Sequence, residues 1–530
     1  MLPFEEAGAR RWARTPSELP AILCALGCLI SIWLVAQARA GTPSEAPSVI
    51  PSSLPRIGTV DERFQSYNIE MVEITGGQFW KPYRSQPDTQ PMPASRPGSD
   101  TPPRTDSNLF QYRSPLDLTQ GRLRKLAAAL APAYLRVSGT WANSTTFSDS
   151  DDVSSAPSAG FNGVLTRQQW RSVVDFAQSV DARIVTSFAI SAGSRDAAGV
   201  WQQDQADRLV RFTHSIGSKI AAAEFMNEPD LAAIGGAPAG YDTAAYQRDF
   251  KIFEMFLRQT SPKTLILGPG TIGQTALASD LFAATGSDLD AVSYHHYGAL
   301  SARCGGHHTP EAALSEDWLG GADRAVAFYR DLRDRLTPGK PIWLTETAEA
   351  ACGGNPWAVS FLDTFRYLDQ LGRLAKAGVQ VVMHNTLAAS DYGLLDERTL
   401  EPRPNYWGAL LWRQLMGTTV LDAGLPIRRG LHVYAHCQRD KSGGVTLLVI
   451  NTERDAPHAL MLSTASALYT LDAVNPLDAR VRMNGTTLAL GAGDTLPSIQ
   501  GAPTPAGAVT FAQATISFVV IPEAANNACR

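Results

Sequence analysis

Ala222-Ala-Glu-Phe-Met-Asn-Glu-Pro-Asp230 and Pro341-Ile-Trp-Leu-Thr-Glu-Thr347 decide how this chain folds. Each sets a short apolar run of strand length just before an acidic residue, Glu228 in the first and Glu346 in the second. A carboxylate at the C-terminal end of a buried strand sits where (β/α)₈ barrels keep their functional groups. With Ala223–Met226 and Ile342–Thr345 counted as strands, six further runs read the same way: Tyr67–Val72, Tyr134–Val137, Arg183–Ser187, Leu265–Gly268, Ala291–Tyr294 and Val379–Met383. Amphipathic stretches lie between them, at Leu118–Leu130, Arg167–Val180, Ala244–Gln259, Ala322–Leu336 and Val359–Lys376. Strands alternating with helices predict an α/β chain whose parallel sheet closes into a (β/α)8 TIM barrel, over residues 61–418.

Beyond the last helix, near Tyr406–Met416, the pattern changes. Short alternating runs follow at Leu431–His436, Val445–Asn451, Ala467–Asp472, Thr487–Leu490 and Thr515–Ile521, punctuated by Gly, Pro and Asn. This predicts a C-terminal antiparallel β-sandwich domain over 419–530. Residues 41–60 read as a Pro- and Ser-rich linker whose end, Arg56–Val60, can add a strand to that domain. Residues 84–107 carry six prolines among polar residues and read as a surface loop after the first strand.

The first forty residues differ from the rest. Arg10, Arg11 and Arg14 precede an apolar run, Ala21 to Ala36, and then Ala38-Arg-Ala40. Basic, apolar and small-residue regions in that order form a secretory signal, cleaved after Ala40 or kept as a membrane anchor. The body is therefore expected to be secreted or periplasmic, with a membrane contact only if the segment is retained. Cleavage removes four Arg and three Glu, and the net charge moves from −5 to −6. No basic or acidic block stands out, so no nucleic-acid partner is expected. Export permits disulfides. Cys304, Cys352, Cys437 and Cys529 remain after cleavage and allow three pairings. Cys304–Cys352 with Cys437–Cys529 keeps each bridge inside one domain and is the expected pairing, against four free thiols. No ligand spacing suggests a metal, and His307-His308 reads as a solvated loop pair. Asn143-Ser-Thr145 and Asn484-Gly-Thr486 are sequons.

The barrel reading makes the strand ends testable. Glu70 lies in strand one, Ser138-Gly-Thr140 follows strand two, Asn227-Glu228 strand four, His295-His-Tyr297 strand six, Glu346 strand seven and His384-Asn385 strand eight. A purely structural sheet does not need so many polar ends. Two opposed carboxyls suit hydrolysis of a glycosidic bond, which needs a proton on its leaving oxygen and support for an oxocarbenium-like centre. One carboxyl must stay protonated near neutral pH and the other ionised. Asn227 is placed to hydrogen-bond a sugar 2-hydroxyl, and Tyr297 to donate to Glu346. Such a reaction calls for no cofactor.

Ala131-Pro-Ala-Tyr-Leu-Arg-Val-Ser-Gly-Thr140, His295-His-Tyr297, Trp343-Leu-Thr-Glu-Thr347 with Gly353-Gly354, and Val381-Val-Met383 through Asp391-Tyr392 to Asn405-Tyr-Trp407 resemble glycoside hydrolase family 79, heparanase and its relatives. The resemblance runs from about Tyr67 to Leu421 and more faintly beyond. It implies a retaining β-glucuronidase with Glu228 as acid/base and Glu346 as nucleophile. It further implies that Glu70, Thr140 and Asn227 bind hydroxyls of glucuronic acid, and that backbone N–H groups of Cys352 and Gly353, with the Tyr392 hydroxyl, hold its carboxylate. A glycine-rich turn lets backbone donors approach an anion closely, which independently suits that role. The implied partner is an oligo- or polysaccharide containing glucuronic acid.

Four departures bear on the substrate. Position 70 is Glu where the family pattern has Asp, and position 352 is Cys where it has Gly. The loop Gly270-Thr-Ile-Gly-Gln274 carries no cation where heparanase has an arginine pair, and the region around Asp149–Gly163 is short and acidic. Sulfated chains are held by several Arg or Lys side chains, so a less sulfated or exo-cleaved β-glucuronide is expected. The competing readings are a heparanase-like endo-enzyme on glycosaminoglycans, a barrel glycosidase for a neutral sugar, and a non-catalytic carbohydrate-binding protein. The last has no need of both glutamates.

Overall fold

A computed structural model describes residues 46–83, 109–148, 150, 156–428 and 430–530. The segment 1–40 and the proline-rich loop 84–107 fall outside the described residues. Eight parallel strands close the barrel: β1 Gln65–Glu70, β2 Ala133–Ser138, β3 Ala182–Thr186, β4 Ile220–Glu224, β5 Leu265–Thr271, β6 Ala291–Leu300, β7 Ile342–Ala351 and β8 Val381–His384. Closure is by β8 on β1, with Val382 opposite Gln65. Strands β2 to β8 all contribute side chains to one shared apolar cluster, among them Tyr134, Val185, Leu267 and Trp343. That apolar layer fills one level of the interior, and the catalytic polar groups gather above it, toward the C-terminal strand ends.

The helices follow from local signals. Thr166 and Gln169 form a reciprocal capping box on Arg167–Ser179. Asp242 caps Thr243–Thr260 by accepting from Ala245 N. Helix Phe361–Lys376 is buried along nearly its whole length, because it is packed between the barrel and the neighbouring sheet. Helices Asp204–Ser215 and Ala276–Thr285 also lie between barrel strands, and the sequence reading had no helix at either place.

The C-terminal region forms a nine-stranded antiparallel sheet that includes Leu431–Gln438, Val445–Asn451, Ser466–Asp472 and Thr515–Ile521. A three-stranded sheet of Ser48–Val49, His458–Leu462 and Gly507–Phe511 shares an apolar core with it, through residues such as Leu447, Val519, Leu460 and Phe511. Arg56–Thr59 pairs with Met416–Leu421, as the N-terminal strand was expected to do. The described part of the expected linker is itself structured: Ser48–Val49 pairs with Met461 and Leu462, and Asn526 Nδ2 donates to the carbonyls of Pro51 and Leu54.

Several expectations are corrected. The first strand stops at Glu70 rather than Val72, because Glu70 and Glu73 cap a helix, Met71–Thr75, that begins there. The expected strand Thr487–Leu490 is reduced to Thr486–Thr487 in a tight hairpin with Arg482–Met483. His307 is exposed as expected, but His308 is half-buried: its ring stacks on Trp318 with centroids 3.4 Å apart, and partial burial lowers its pKa to about 4. Asn143 is buried and fully engaged, which closes its sequon to modification. Both expected disulfides are present, Cys304–Cys352 and Cys437–Cys529. No helix among the described residues is long and apolar enough to cross a membrane.

A buried charge cluster ties the barrel to the sheet. Asp369, on helix Phe361–Lys376, accepts from Tyr434 Oη at 2.6 Å and from the His432 ring at 2.6 Å. Arg373 completes the cluster at 2.6 Å from the second Asp369 oxygen. Burial alone would lower the His432 pKa, but the Asp369 charge and hydrogen bond outweigh it and push it to about 9. A raised histidine pKa adds stability that is fully present below about pH 6.5 and is lost as pH rises toward 9, on the order of 3 kcal/mol for such a shift. Melting temperature measured across pH 6.5–9 should therefore fall in the native protein, and His432→Gln should flatten that slope while lowering stability at pH 6.

Candidate active site

Strand β4 ends at Glu224, and the chain then runs through Asn227 to Glu228, which adopts a left-handed conformation with φ 47°. That conformation is costly for a residue with a Cβ. It is held from both sides. Asn143 accepts from Asn227 N at 2.9 Å and donates to Asn227 O at 2.8 Å, and Pro229 fixes the turn that follows. Glu346 lies in mid-β7, opposite His295 of β6. The pairing shifts register between Tyr294 and His295, and on the other edge of β7 between Leu344 and Thr347. Bulges of this kind re-aim side chains at the ends of barrel strands.

The two carboxyls face each other. Oxygens of Glu228 and Glu346 and a ring nitrogen of His295 all lie within 4.8 Å of one another. His295 Nδ1 is 3.0 Å from Glu228 Oε1 and 3.9 Å from Glu346 Oε2. Tyr297 Oη donates to Glu346 Oε1 at 2.6 Å, and Arg136 Nη1 donates to Glu346 Oε2 at 2.7 Å. The same triangle of ligand atoms could in principle hold a cation. The Arg136 guanidinium already occupies that charge, touching Glu346 and lying 3.2 Å from the other His295 nitrogen.

These surroundings split the pair. Burial raises the Glu228 pKa, the His295 hydrogen bond opposes it, and the charge of Glu346 adds to the rise, leaving Glu228 above the ordinary carboxylate value. Burial also pushes Glu346 up, but His295, Arg136 and the Tyr297 hydroxyl outweigh it and leave Glu346 below the ordinary value. Glu228 thus favours the protonated form and Glu346 the ionised one.

Around them the other expected residues assemble. Asn385 Nδ2 donates to Glu70 Oε1 at 3.0 Å, to Tyr297 Oη at 3.0 Å and to Tyr392 Oη at 3.3 Å. Burial, then the Glu346 charge, raises Glu70 well above the carboxylate range. Cys352, Gly353 and Gly354 form three successive positive-φ residues at 65°, 80° and 83°. A Cβ at Gly354 would come within 3.3 Å of the Tyr392 ring, so this turn stands directly beside that tyrosine. Thr140 opens the turn Thr140–Ser144 just after Gly139, whose backbone lies against the Glu70 carboxyl. The structure therefore gathers Glu70, Asn227, Glu228, His295, Tyr297, Glu346 and Tyr392 in one connected set, with Cys352 and Gly353 beside Tyr392 and Thr140 beside Glu70.

Sequence reasoning missed Arg136 and Glu224. Both sit inside apolar strands, and both are 1% exposed. Arg136 donates to Glu224 Oε2 at 2.9 Å and to Asn227 Oδ1 at 2.8 Å, as well as to Glu346. Burial would raise Glu224, but Arg136, His295 and the Ser293 and Thr345 hydroxyls together outweigh it and leave the carboxyl below its ordinary value. The available signal was opposite charges within two apolar runs, since buried charges must be paired.

A closed barrel with facing carboxyls, one just after β4 and one within β7, defines a glycoside hydrolase, and the relatives of this chain agree. Residues 111–372 match the glycosyl hydrolase family 79, N-terminal domain. Heparanase of Rattus norvegicus is 30% identical over 431 residues, covering 70% of this chain and 79% of that protein. Heparanase-like protein 1 of Arabidopsis thaliana is 26% identical over 378 residues, covering 66% of this chain and 67% of that one. Among solved structures, a 4-O-alpha-L-rhamnosyl-beta-D-glucuronidase from Fusarium oxysporum shares the fold at 13% identity and a TM-score of 0.59, over 90% of this chain and 99% of that chain. The chain belongs to glycoside hydrolase family 79, the heparanase-like family.

Arg136→Met removes the guanidinium that holds Glu346 ionised. The acidic limb of the pH–rate profile should move upward, and kcat/KM near neutrality should fall by about 10²–10³. A loss with no movement of that limb would mean that Arg136 only supports the fold.

Proposed function

We propose that the protein is a retaining β-glucuronidase that hydrolyses β-D-glucuronides from glycans by double displacement. The observation that supports it most is the facing pair, with carboxyl oxygens within 4.8 Å and opposite pKa directions. Retaining enzymes hold their carboxyls about 5–5.5 Å apart, whereas inverting ones leave about 6.5–9.5 Å for a water. In the first step the ionised Glu346 attacks the anomeric carbon. Protonated Glu228 gives its proton to the leaving glycosidic oxygen as that C–O bond breaks. In the second step Glu228, now a carboxylate, takes a proton from water, the water oxygen bonds to the anomeric carbon, and the ester to Glu346 breaks. Asn227 is held by Asn143 and Arg136, ready for the sugar 2-hydroxyl. The Cys352–Gly354 turn and the Tyr392 hydroxyl supply donors suited to the glucuronate carboxylate.

Glucuronide-containing glycans fit the family, whose relatives include heparanases, and the fold neighbour named for β-D-glucuronidase activity. The loop after β5 argues for a lightly sulfated substrate. Its Ile272 and Gly273 N–H groups are taken by Asp230, at 3.2 and 2.8 Å, and the loop carries no Arg or Lys to hold a sulfate. The N-terminal signal pattern and two disulfides support an exported protein.

Nitrophenyl β-D-glucuronide should be cleaved and the matching β-glucoside should not, with Glu346→Gln lowering kcat by about 10⁴-fold or more. Cleavage of the glucoside instead would discard the carboxylate pocket, and retention of activity in Glu346→Gln would discard the nucleophile. The pH profile of kcat/KM should be bell-shaped. Activity falls as acid protonates Glu346, whose pKa is depressed, and falls again as base removes the proton from Glu228, whose pKa is raised. Glu228→Ala should abolish the alkaline limb and cost about 10²–10⁴ in rate. Added azide should restore turnover and give the β-azide, while an α-azide would rule out retention.

A further inference from the structure

The turn Cys352–Gly354 is packed against a segment that no part of the mechanism uses. Strand Gly77–Trp80 pairs antiparallel with Phe110–Arg113, and the chain then continues through Lys81 and Pro82 to Tyr83. Trp80 is pressed against Gly353: a Cβ there would lie 2.7 Å from Trp80 Cβ and 2.9 Å from its Cγ. The indole is backed by Phe110, ring centroids 4.6 Å apart, and by Trp141 at 6.3 Å, the residue after Thr140. Trp80 therefore bridges the loop after β2 and the loop after β7.

The far end of the segment is fastened as firmly. The Arg303 guanidinium lies 3.8 Å over the Tyr83 ring, and its Nη1 donates to the Lys81 carbonyl. Arg303 N donates to Tyr83 Oη at 3.2 Å. Tyr83 N donates to Asp391 Oδ2 at 3.2 Å, and Asp391 N donates to Gly353 O at 3.2 Å. Arg303 is the neighbour of Cys304, whose disulfide runs to Cys352. The contacts close a ring: segment 80–83 to Arg303, through the disulfide to the turn, and back through Asp391 to Tyr83.

We propose that Trp80–Tyr83, strapped down by Arg303, is a specificity wall that restricts the enzyme to the glucuronic acid at the non-reducing end of a chain. This rests on the β-glucuronidase reading and adds to it the mode of attack. The reason is the stereochemistry of the sugar. The carboxylate of glucuronic acid is carried on C5, and a 1,4-linked chain continues from O4 on the adjacent carbon, so the two equatorial groups leave the ring side by side. A carboxylate seated on the Cys352–Gly354 turn puts O4 against whatever lies next to that turn. There the structure has an indole in van der Waals contact with the turn and an arginine–tyrosine stack beyond it. A free 4-hydroxyl fits, whereas a further sugar on O4 needs the strap to move.

The test uses two unsulfated oligosaccharides of alternating glucuronic acid and N-acetylglucosamine, one ending in glucuronic acid at the non-reducing end and the other capped there by N-acetylglucosamine. Products are identified by mass, with nitrophenyl β-D-glucuronide run in parallel. The expected result is release of one glucuronic acid from the first and cleavage of the capped chain at least about 100-fold slower. Arg303→Ala, which frees the strap, should narrow that ratio by about tenfold, and Trp80→Ala should narrow it further. Internal cleavage of the capped chain by the native enzyme at a comparable rate, with the nitrophenyl substrate also cleaved, would overturn the wall and leave the glucuronidase reading standing. No cleavage of any glucuronide would overturn that reading and the wall with it. The native enzyme decides the question even if a variant fails to fold.

Discussion

Everything at the mouth of the barrel depends on the Arg136 guanidinium. It lies inside β2, 1% exposed, and donates to Glu224, Glu346 and Asn227 from a single planar fork. Removing a charge from water costs several kcal/mol, and only close partners with good geometry offset it. Glu224 balances Arg136 inside the wall of the barrel, while Glu346 shares the same cation at its edge. Glu346 can therefore stay ionised in a site that desolvates it. Glu228 has no guanidinium, only the His295 ring, and burial wins there. The asymmetry between two otherwise similar glutamates comes from their partners: His295, Arg136 and the Tyr297 hydroxyl act together on Glu346, whereas Glu228 has His295 alone.

Placement of those groups is a property of the backbone. The register shift before His295 and the one between Leu344 and Thr347 turn β6 and β7 so that His295, Tyr297 and Glu346 converge. Glu228 reaches the same point only by adopting a left-handed conformation, clamped by Asn143. The sheet domain contributes from a distance. It covers helix Phe361–Lys376, which follows the strand that carries Glu346 and the Cys352–Gly354 turn. Anchoring that helix by the Asp369–His432–Tyr434 cluster holds the segment after β7 between two fixed ends.

Much of this was legible in the chain, for identifiable reasons. Barrel strands are buried on both faces and read as apolar runs, so all eight were found, although β6 and β7 continue six residues past their expected ends, through the polar residues of the site. Polar residues that end such runs have no structural reason to be there, and this exposed Glu228, His295, Tyr297 and Glu346. Helices Asp204–Ser215 and Ala276–Thr285 escaped notice, and Ala276–Thr285 carries only a weak polar face. Strand one was extended too far because Met71, Val72 and Ile74 are as apolar as a strand, and only the Glu70–Glu73 capping pair marks the helix. Arg136 and Glu224 were hidden in their strands, because pairing across the barrel is a fact of register that a linear sequence does not display. The Trp80–Gly353 contact was invisible for the same reason, since it joins residues 273 positions apart.

Glu70 shows how one departure from the family pattern reshapes local constraints. Its longer side chain lays the carboxyl across Gly139, where a Cβ would come within 1.5 Å of Oε2, so only glycine can occupy that position. Burial, and then the charge of Glu346, raise this carboxyl well above its usual range, which favours its neutral form. Its Oε1 accepts from Asn385, and its Oε2 has no hydrogen-bond partner among the described residues. A neutral carboxyl can donate as well as accept, which suits a sugar hydroxyl. It also adds no negative charge to a pocket that must already hold Glu346 and, on the proposed function, the carboxylate of the substrate. An ionised residue at 70 would raise the Glu346 pKa and repel the glucuronate together, so a longer, desolvated acid preserves both requirements at once.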